Sequence, residues 1–434
     1  MNFSTKIFLA ALATTVAVPV IAQRIPVGGS KDNKTADPNA RKQETENTQT
    51  ETTTAATSST GRKLTVSPAA QKALLALQTA VNANDTATIP AKLAAAQSVA
   101  KSADEKFFVA TNQVKAAMAA NDLVGIGAGI DALQASGAAE TPDLVARYTD
   151  LGKRYNAAGK VDQAVIALNK AMALNPNSVP TLINLASIRD AQGQKAEAVT
   201  LMQKSFIASK AAGTKVDEGN YKFAAGLAYR QRLPIANDVA RQWVTAYPSP
   251  ASWRDALRIY RDLSRPQPGQ VVDLLRLARA ANALNGENDY FTLSNGLVSA
   301  GRLAEAKAVL AEAKTATNVD VTKSLFTGLN AKIAAAPTRA AVDASAKSAL
   351  AGANGKAMID AGDGLYGVGA FAEAVPLYRA ALTKGGDAGL ANLHLGMALA
   401  RVGDTAGATT ALNAVTGANA EIARYWLLWL SAKG

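Results

Sequence analysis

The sequence predicts an all-α protein, a stack of antiparallel helices built from repeated helix–turn–helix hairpins. Three observations carry this. The stretch Tyr148–Pro176 has the residue spacing of one such hairpin. The same spacing returns in fixed phase further down the chain. No period-two alternation of the kind a half-buried strand shows runs over any useful length.

Within that stretch each residue type has a physical reason. Leu151 and Tyr155 lie four apart and share one face of a first helix. Small residues at Gly152 and Ala164 let the two helices approach closely. Gly159 supplies the left-handed conformation that ends the first helix. Ala164, Leu168 and Ala171 form the buried stripe of the second, and Pro176 stops it. This order of an aromatic, Leu-Gly, Tyr, Gly, Ala, Leu, Ala and Pro at a 34-residue period resembles the tetratricopeptide repeat (TPR). The frame recurs with Leu182, Leu185, Ala186, Gly193, Ala198 and Met202. A second in-phase run starts at Tyr290 with Leu293, Leu297, Gly301, Ala306, Leu310 and Ala313. It continues through a degenerate unit at Gly328 and Ala340. Next come Gly362, Leu365, Gly369, Ala374, Tyr378 and Ala381, then Leu395, Gly396, Leu399, Gly403, Ala408 and Leu412. The resemblance implies a right-handed α-solenoid whose first helices line a concave groove for partners.

In chain order, residues 1–22 read as a secretory leader, with Lys6, the apolar run Ile7–Val20 and a small-residue cleavage site ending at Ala22. An uncleaved leader acting as membrane anchor is the alternative, and once the leader is removed no stable transmembrane span is expected. Residues 23–66 are rich in Pro, Asn, Gln, Ser and Thr, and read as a disordered polar linker. Residues 67–143 read as Ala-rich helical hairpins with apolar positions such as Leu74, Leu77, Phe107, Phe108, Ile130 and Leu133. Residues 145–434 read as a TPR-like array of about eight units, irregular over 214–286, where Pro234, Pro266 and Pro268 distort the turns. Residues 420–431 carry Ile422, Tyr425, Trp426, Leu428 and Trp429 and read as a terminal cap. The roughly 365 residues after residue 67 need not split into globular domains if each unit touches only its neighbours. Finding 148–176 and 389–416 folded into separate compact bodies, or strands running through them, would overturn the reading of one curved stack in which each hairpin leans on the next.

The formal charge is +12, and residues 221–280 hold ten Lys or Arg with interleaved aromatics. Arg254, Arg258 and Arg261 fall at i, i+4, i+7 and form one stripe on a helix. Two readings stand: a groove site where Arg grips a partner's carboxylate, or a solvated face paired locally with Asp255 and Asp262. Arg230, Lys153, Asn156, Asn184 and Ser187 are further candidate groove contacts by the TPR resemblance. The carboxylate clamp of chaperone-binding TPRs is not carried over, because Thr149 stands where its first Lys belongs and Lys153 is displaced.

With one histidine and no cysteine, ordinary zinc sites and Cys–His or Ser–His catalysis lack their parts. His394 reads as a partly buried structural residue. Asp360 and Asp363 read as a polar helix face. No cofactor, metal or nucleic-acid partner is expected, nor an enzymatic activity. The expected role is a periplasmic scaffold of a Gram-negative bacterium binding envelope proteins or peptides, with secretion as the alternative location. A binder of anionic envelope polymer, such as lipopolysaccharide or cell-wall glycan, is the alternative function. It rests on the basic, aromatic segment, which would make weak contact with an anionic surface.

Overall fold

The computed structural model describes residues 54–57 and 63–433, with side chains from Leu64 onward. The leader and residues 23–53 of the polar segment lie outside the described residues. Helix dominates, as the periodicity predicts. Among the described residues the chain forms two compact units, one through Ile188 and one from Arg189.

The N-terminal unit opens with a short ribbon. β1 (Thr54–Thr57) pairs antiparallel with β2 (Lys63–Val66), Thr54 opposite Val66. This corrects the expectation that the segment is wholly disordered. In β2 Leu64 and Val66 turn inward and are buried, while Thr65 faces out. Two inward residues are too few to register as a pattern in sequence. Then come α1 (Pro68–Asn82), α2 (Ile89–Val99), α3 (Ala103–Ala119), α4 (Leu123–Ser136), α5 (Thr141–Ala157) and α6 (Val161–Leu174). Most of α7 (Val179–Ala191) also belongs here. Helix α1 packs on α2, α3 on α4, and α5 on α6.

One buried carboxylate ties the ribbon to this stack. Glu105, in the first turn of α3, accepts from Ser67 N (3.0 Å), Ser67 Oγ (2.6 Å), Lys101 N (2.7 Å) and Ser102 N (3.0 Å). Burial opposes its ionisation, but the Ser67 hydroxyl and three backbone N–H groups outweigh that and bring its pKa down to about 2. The α4–α5 junction shows no break at residue 144. Tyr148 donates to Asp131 Oδ1 at 2.7 Å and Tyr155 to the Leu123 carbonyl at 3.0 Å.

The C-terminal unit contains α8 (Lys195–Ala211), α9 (Glu218–Arg230), α10 (Ala236–Ala246), α11 (Pro250–Ser264), α12 (Pro268–Ala280), α13 (Gly286–Ser299) and α14 (Leu303–Ala313). It continues with α15 (Ser324–Ile333), α16 (Arg339–Ala351), α17 (Gly355–Gly367), α18 (Phe371–Thr383), α19 (Ala388–Val402), α20 (Thr405–Asn413) and α21 (Ala420–Ser431). The segment read as irregular, 214–286, forms ordinary helices. Its prolines fall in turns or at helix starts, where the missing N–H is not needed.

Three of the hairpins share one contact. A Cβ placed on Gly152 would lie 2.6 Å from Leu168 Cγ, and one on Gly396 would lie 2.5 Å from Leu412 Cγ. On Gly362 it would lie 2.7 Å from Tyr378 Cε1. Each pair is sixteen residues apart, so the repeat frame read from sequence is a packing frame in both units.

Contact is not confined to neighbours. The α15–α16 hairpin buries only Phe326, Leu329, Val342 and Ala346 on its two helices, and α14 packs directly on α17. Gly367 of α17 makes this approach, since a Cβ there would lie 2.8 Å from Glu305 Cβ and 3.3 Å from its backbone. Further on, α21 packs on α19 and α20 and also returns to α10 and α12. Its Tyr425, Trp426 and Trp429 are buried, and Tyr260 of α11 lies 5.6 Å from Tyr425, centroid to centroid. Arg241 of α10 pairs with Glu421, and Gln270 Nε2 of α12 donates to Ala418 O at 2.7 Å. One expectation is thereby corrected: the pairs at 148–176 and 389–416 lie in different compact units. The terminal cap is present, since α21 covers α19 and α20, and it also closes the C-terminal unit onto its own earlier helices. The hairpins recur in both units, so the helical-repeat architecture stands. No helix among the described residues is long and apolar enough to cross a membrane.

Candidate functional site

The arginine stripe of α11 faces a cavity. The capping box of Ser249 and Ser252 and a proline in the first turn start this helix, and its apolar residues Trp253, Ala256, Leu257 and Tyr260 point inward. Arg254, Arg258 and Arg261 are left on the adjoining face. They line a cavity of about 220 Å³ together with Leu257, Leu274, Leu275, Ala278 and Ala283, and with Asn285, Asn288 and Asp289.

The three arginines differ. Arg254 has no hydrogen-bond or ion-pair partner among the described residues. Arg258 makes a long contact to Asp255 (3.4 Å) and lies over the Tyr229 ring, 5.2 Å from its centroid. Arg261 sits 3.6 Å from Asp262 and 3.7 Å from Asp289. Tyr229 in turn donates to Asp262 at 2.8 Å. Of the three carboxylates near Arg258 and Arg261 only Asp289 lines the cavity, and among the described residues Arg254 has no partner for its donors. Such a wall can grip a carboxylate bidentately, with the Asn285 and Asn288 amides at hand.

The other candidates lie elsewhere. Arg230 is exposed at the end of α9 and does not line this cavity. Lys153 and Asn156 are exposed on α5. On α7, Ser187 is exposed and Asn184 turns its amide to its own helix, donating to Pro180 O at 2.6 Å. Thr149 is buried and its hydroxyl meets that of Thr181 at 2.7 Å.

A second polar assembly is interior. Arg276 of α12 is 4 % exposed and forks onto Glu305 of α14, Nε to Oε1 at 3.0 Å and Nη2 to Oε2 at 2.5 Å. Its Nη1 donates to Asp273 at 2.9 Å. His394 of α19 is fixed between carboxylates, Nε2 3.1 Å from Asp273 Oδ1 and Nδ1 2.7 Å from Asp363 Oδ1. Asp363 also accepts from Tyr378 at 2.8 Å and meets Arg302 at 3.0 Å. Asp363 is thus buried, which corrects the expectation of a polar face. Asp360, beside it, does stay partly exposed and pairs with Arg302 and Lys356. Burial would lower the His394 pKa, but Asp363 and Asp273 together push it up to about 10. Burial likewise opposes the charge of Asp363, yet His394 and the two arginines hold its pKa well below the usual carboxylate range.

Above this network opens a cavity of about 420 Å³ lined by Arg276, Arg279, Lys307, Tyr366, Phe371 and Arg401 among others. Among the described residues no cluster of acidic and histidine side chains is arranged to hold a metal ion. The arginine stripe was visible in sequence as an i, i+4, i+7 pattern. Asn285, Asn288 and Asp289 were not, because they come from the next hairpin and carry no periodic signal.

No protein-family profile matches the chain, and no curated protein matches it. Solved structures do. A tetratricopeptide repeat protein from Parabacteroides merdae is 13% identical, covers 68% of this chain and 99% of its own, and superposes with a TM-score of 0.28. The C-terminal part of a TPR repeat-containing protein from Cytophaga hutchinsonii is 10% identical, covering 72% and 95%, with a TM-score of 0.27. The TPR2AB domain of yeast Sti1 in its pHSP90 complex is 15% identical, covering 67% and 99%, with a TM-score of 0.19. These superpositions are loose, and the description of the fold rests on the hairpins themselves.

Proposed function

We propose that this protein is an exported, non-catalytic scaffold that binds protein or peptide partners of the bacterial cell envelope. The observation that carries the reading is the α11 wall, where unpaired Arg254 and weakly paired Arg258 and Arg261 converge on one cavity. A carboxylate on a partner satisfies these donors at once, and helices already in place accept it without an ordering cost of their own. Export rests on the leader-like pattern of residues 1–22.

The triple variant Arg254→Gln, Arg258→Gln, Arg261→Gln tests this. Proximity labelling in the envelope should recover a defined partner set with the wild type and lose it with the variant. An unchanged set overturns the carboxylate site. Binding of an anionic envelope polymer is the second reading, favoured by the excess of arginine on that wall. It predicts retention on lipopolysaccharide or cell-wall glycan that falls steeply as salt rises, whereas a partner held by apolar groove contacts as well should be retained.

A further inference from the structure

A larger groove, about 1130 Å³, is walled by α8, α10 and α21. Its floor is apolar, with Phe206, Tyr221, Leu427 and Leu428, and Ile207 stands 57 % exposed at its edge. An isoleucine and two leucines beside one cavity are an unusual thing to leave to water. The charges at the rim are unevenly matched. Arg241 bonds to Asp238 and Glu421, and Arg424 to Glu421, so two arginines and two carboxylates neutralise one another. Among the described residues Lys210 has no ion pair, and Lys215 meets the Ala246 carbonyl at 3.2 Å and the Tyr247 ring but no carboxylate. The uncompensated charge is therefore positive and sits where α8 ends.

We propose that this groove docks an amphipathic helix of a partner protein, apolar on the face it buries and acidic where it meets Lys210 and Lys215. The walls favour a helix as the occupant. They are helices whose backbone groups are bonded internally, so no strand edge is offered to an extended peptide, whereas a helix can lay one apolar face on Ile207, Leu427 and Leu428. The groove shares no lining residue with the α11 cavity, so either site can fail without the other.

The test uses the full chain and two labelled helical peptides of about 16 residues, long enough to hold a helix. Both carry leucines at helical spacing, one with flanking glutamates and one with flanking lysines. Fluorescence anisotropy should show the glutamate peptide binding at least about tenfold more tightly. Ile207→Asp, at an exposed position, should remove about tenfold of that affinity, and Lys210→Glu with Lys215→Glu should reverse the preference. The α11 triple variant should bind as the wild type does. Equal affinity for the two peptides, no saturable binding, or indifference to Ile207→Asp overturns the proposal. So does self-association in sedimentation that Ile207→Asp abolishes, which would make the occupant a second copy. Binding seen only after residues 1–53 are removed overturns it too, because the occupant would then be the chain's own N-terminal segment.

Discussion

Around His394 the charges balance only when its ring is protonated. Asp273, Glu305 and Asp363 face it or its partners from α12, α14 and α17, against Arg276 and Arg302, with the neutral hydroxyl of Tyr378 on Asp363. A neutral imidazole has one N–H and would turn a lone pair towards one of two carboxylates. The raised pKa therefore contributes stability that is complete below the unfolded value near 6.5 and is lost as pH rises through about 10. The lowered pKa of Asp363 works the other way, contributing above its ordinary value near 3.8 and fading in acid. All four tryptophans, Trp243, Trp253, Trp426 and Trp429, lie in the C-terminal unit, so their fluorescence reports its unfolding alone. In urea the wild type should lose stability between neutral pH and about pH 9, below the range in which the unfolded chain's tyrosines ionise, and His394→Gln should lack most of that slope. At neutral pH the variant should be weaker by about 3–5 kcal/mol, because buried carboxylates lose their counter-charge. A variant with the same slope and stability would show that the ring is neutral.

At the scale of elements, three hairpins close over a glycine, Gly152, Gly362 and Gly396. Gly396 has no room for a Cβ against Leu412, whereas Gly328, its equivalent in the degenerate hairpin, has nothing within 4 Å. Gly396→Ala should cost about 1–3 kcal/mol through overpacking. Gly328→Ala, in an exposed part of α15, should be neutral or stabilise by up to ~1 kcal/mol. Urea midpoints read both, and equal effects would mean that the glycine frame does not mark the hairpin contact. Most of this scale was legible. The glycine, alanine and leucine spacing identified the hairpins because it reflects contacts within one unit, thirty-odd residues long. The β1–β2 ribbon was not legible, since only Leu64 and Val66 mark it and its tether, Glu105, lies 38 residues beyond Ser67.

On the scale of the whole molecule, α21 is more than a lid on the last hairpin. Trp426 is fully buried, and its helix touches α10, α11 and α12 as well as α19 and α20. Trp426→Ala should cost about 3–5 kcal/mol. Hydrogen exchange should then speed up over residues 236–280 as well as 388–413, whereas a simple end cap would release only the latter. Protection confined to its normal pattern over 236–280 would show that the closure carries no energy. The same closure places Asp273, Arg276, Asp363 and His394 in one interior although up to 121 residues separate them.

From the sequence alone came the helices, the hairpin frame and the arginine stripe on α11, because each is written within one helix or one repeat, where spacing alone decides which side chains share a face. The tertiary structure decided which hairpin steps aside, where α21 returns, and that Asp363 and His394 meet in the dark rather than in water. Those outcomes depend on contacts between distant segments, and a short-range pattern of residues holds no record of which distant surface will cover it.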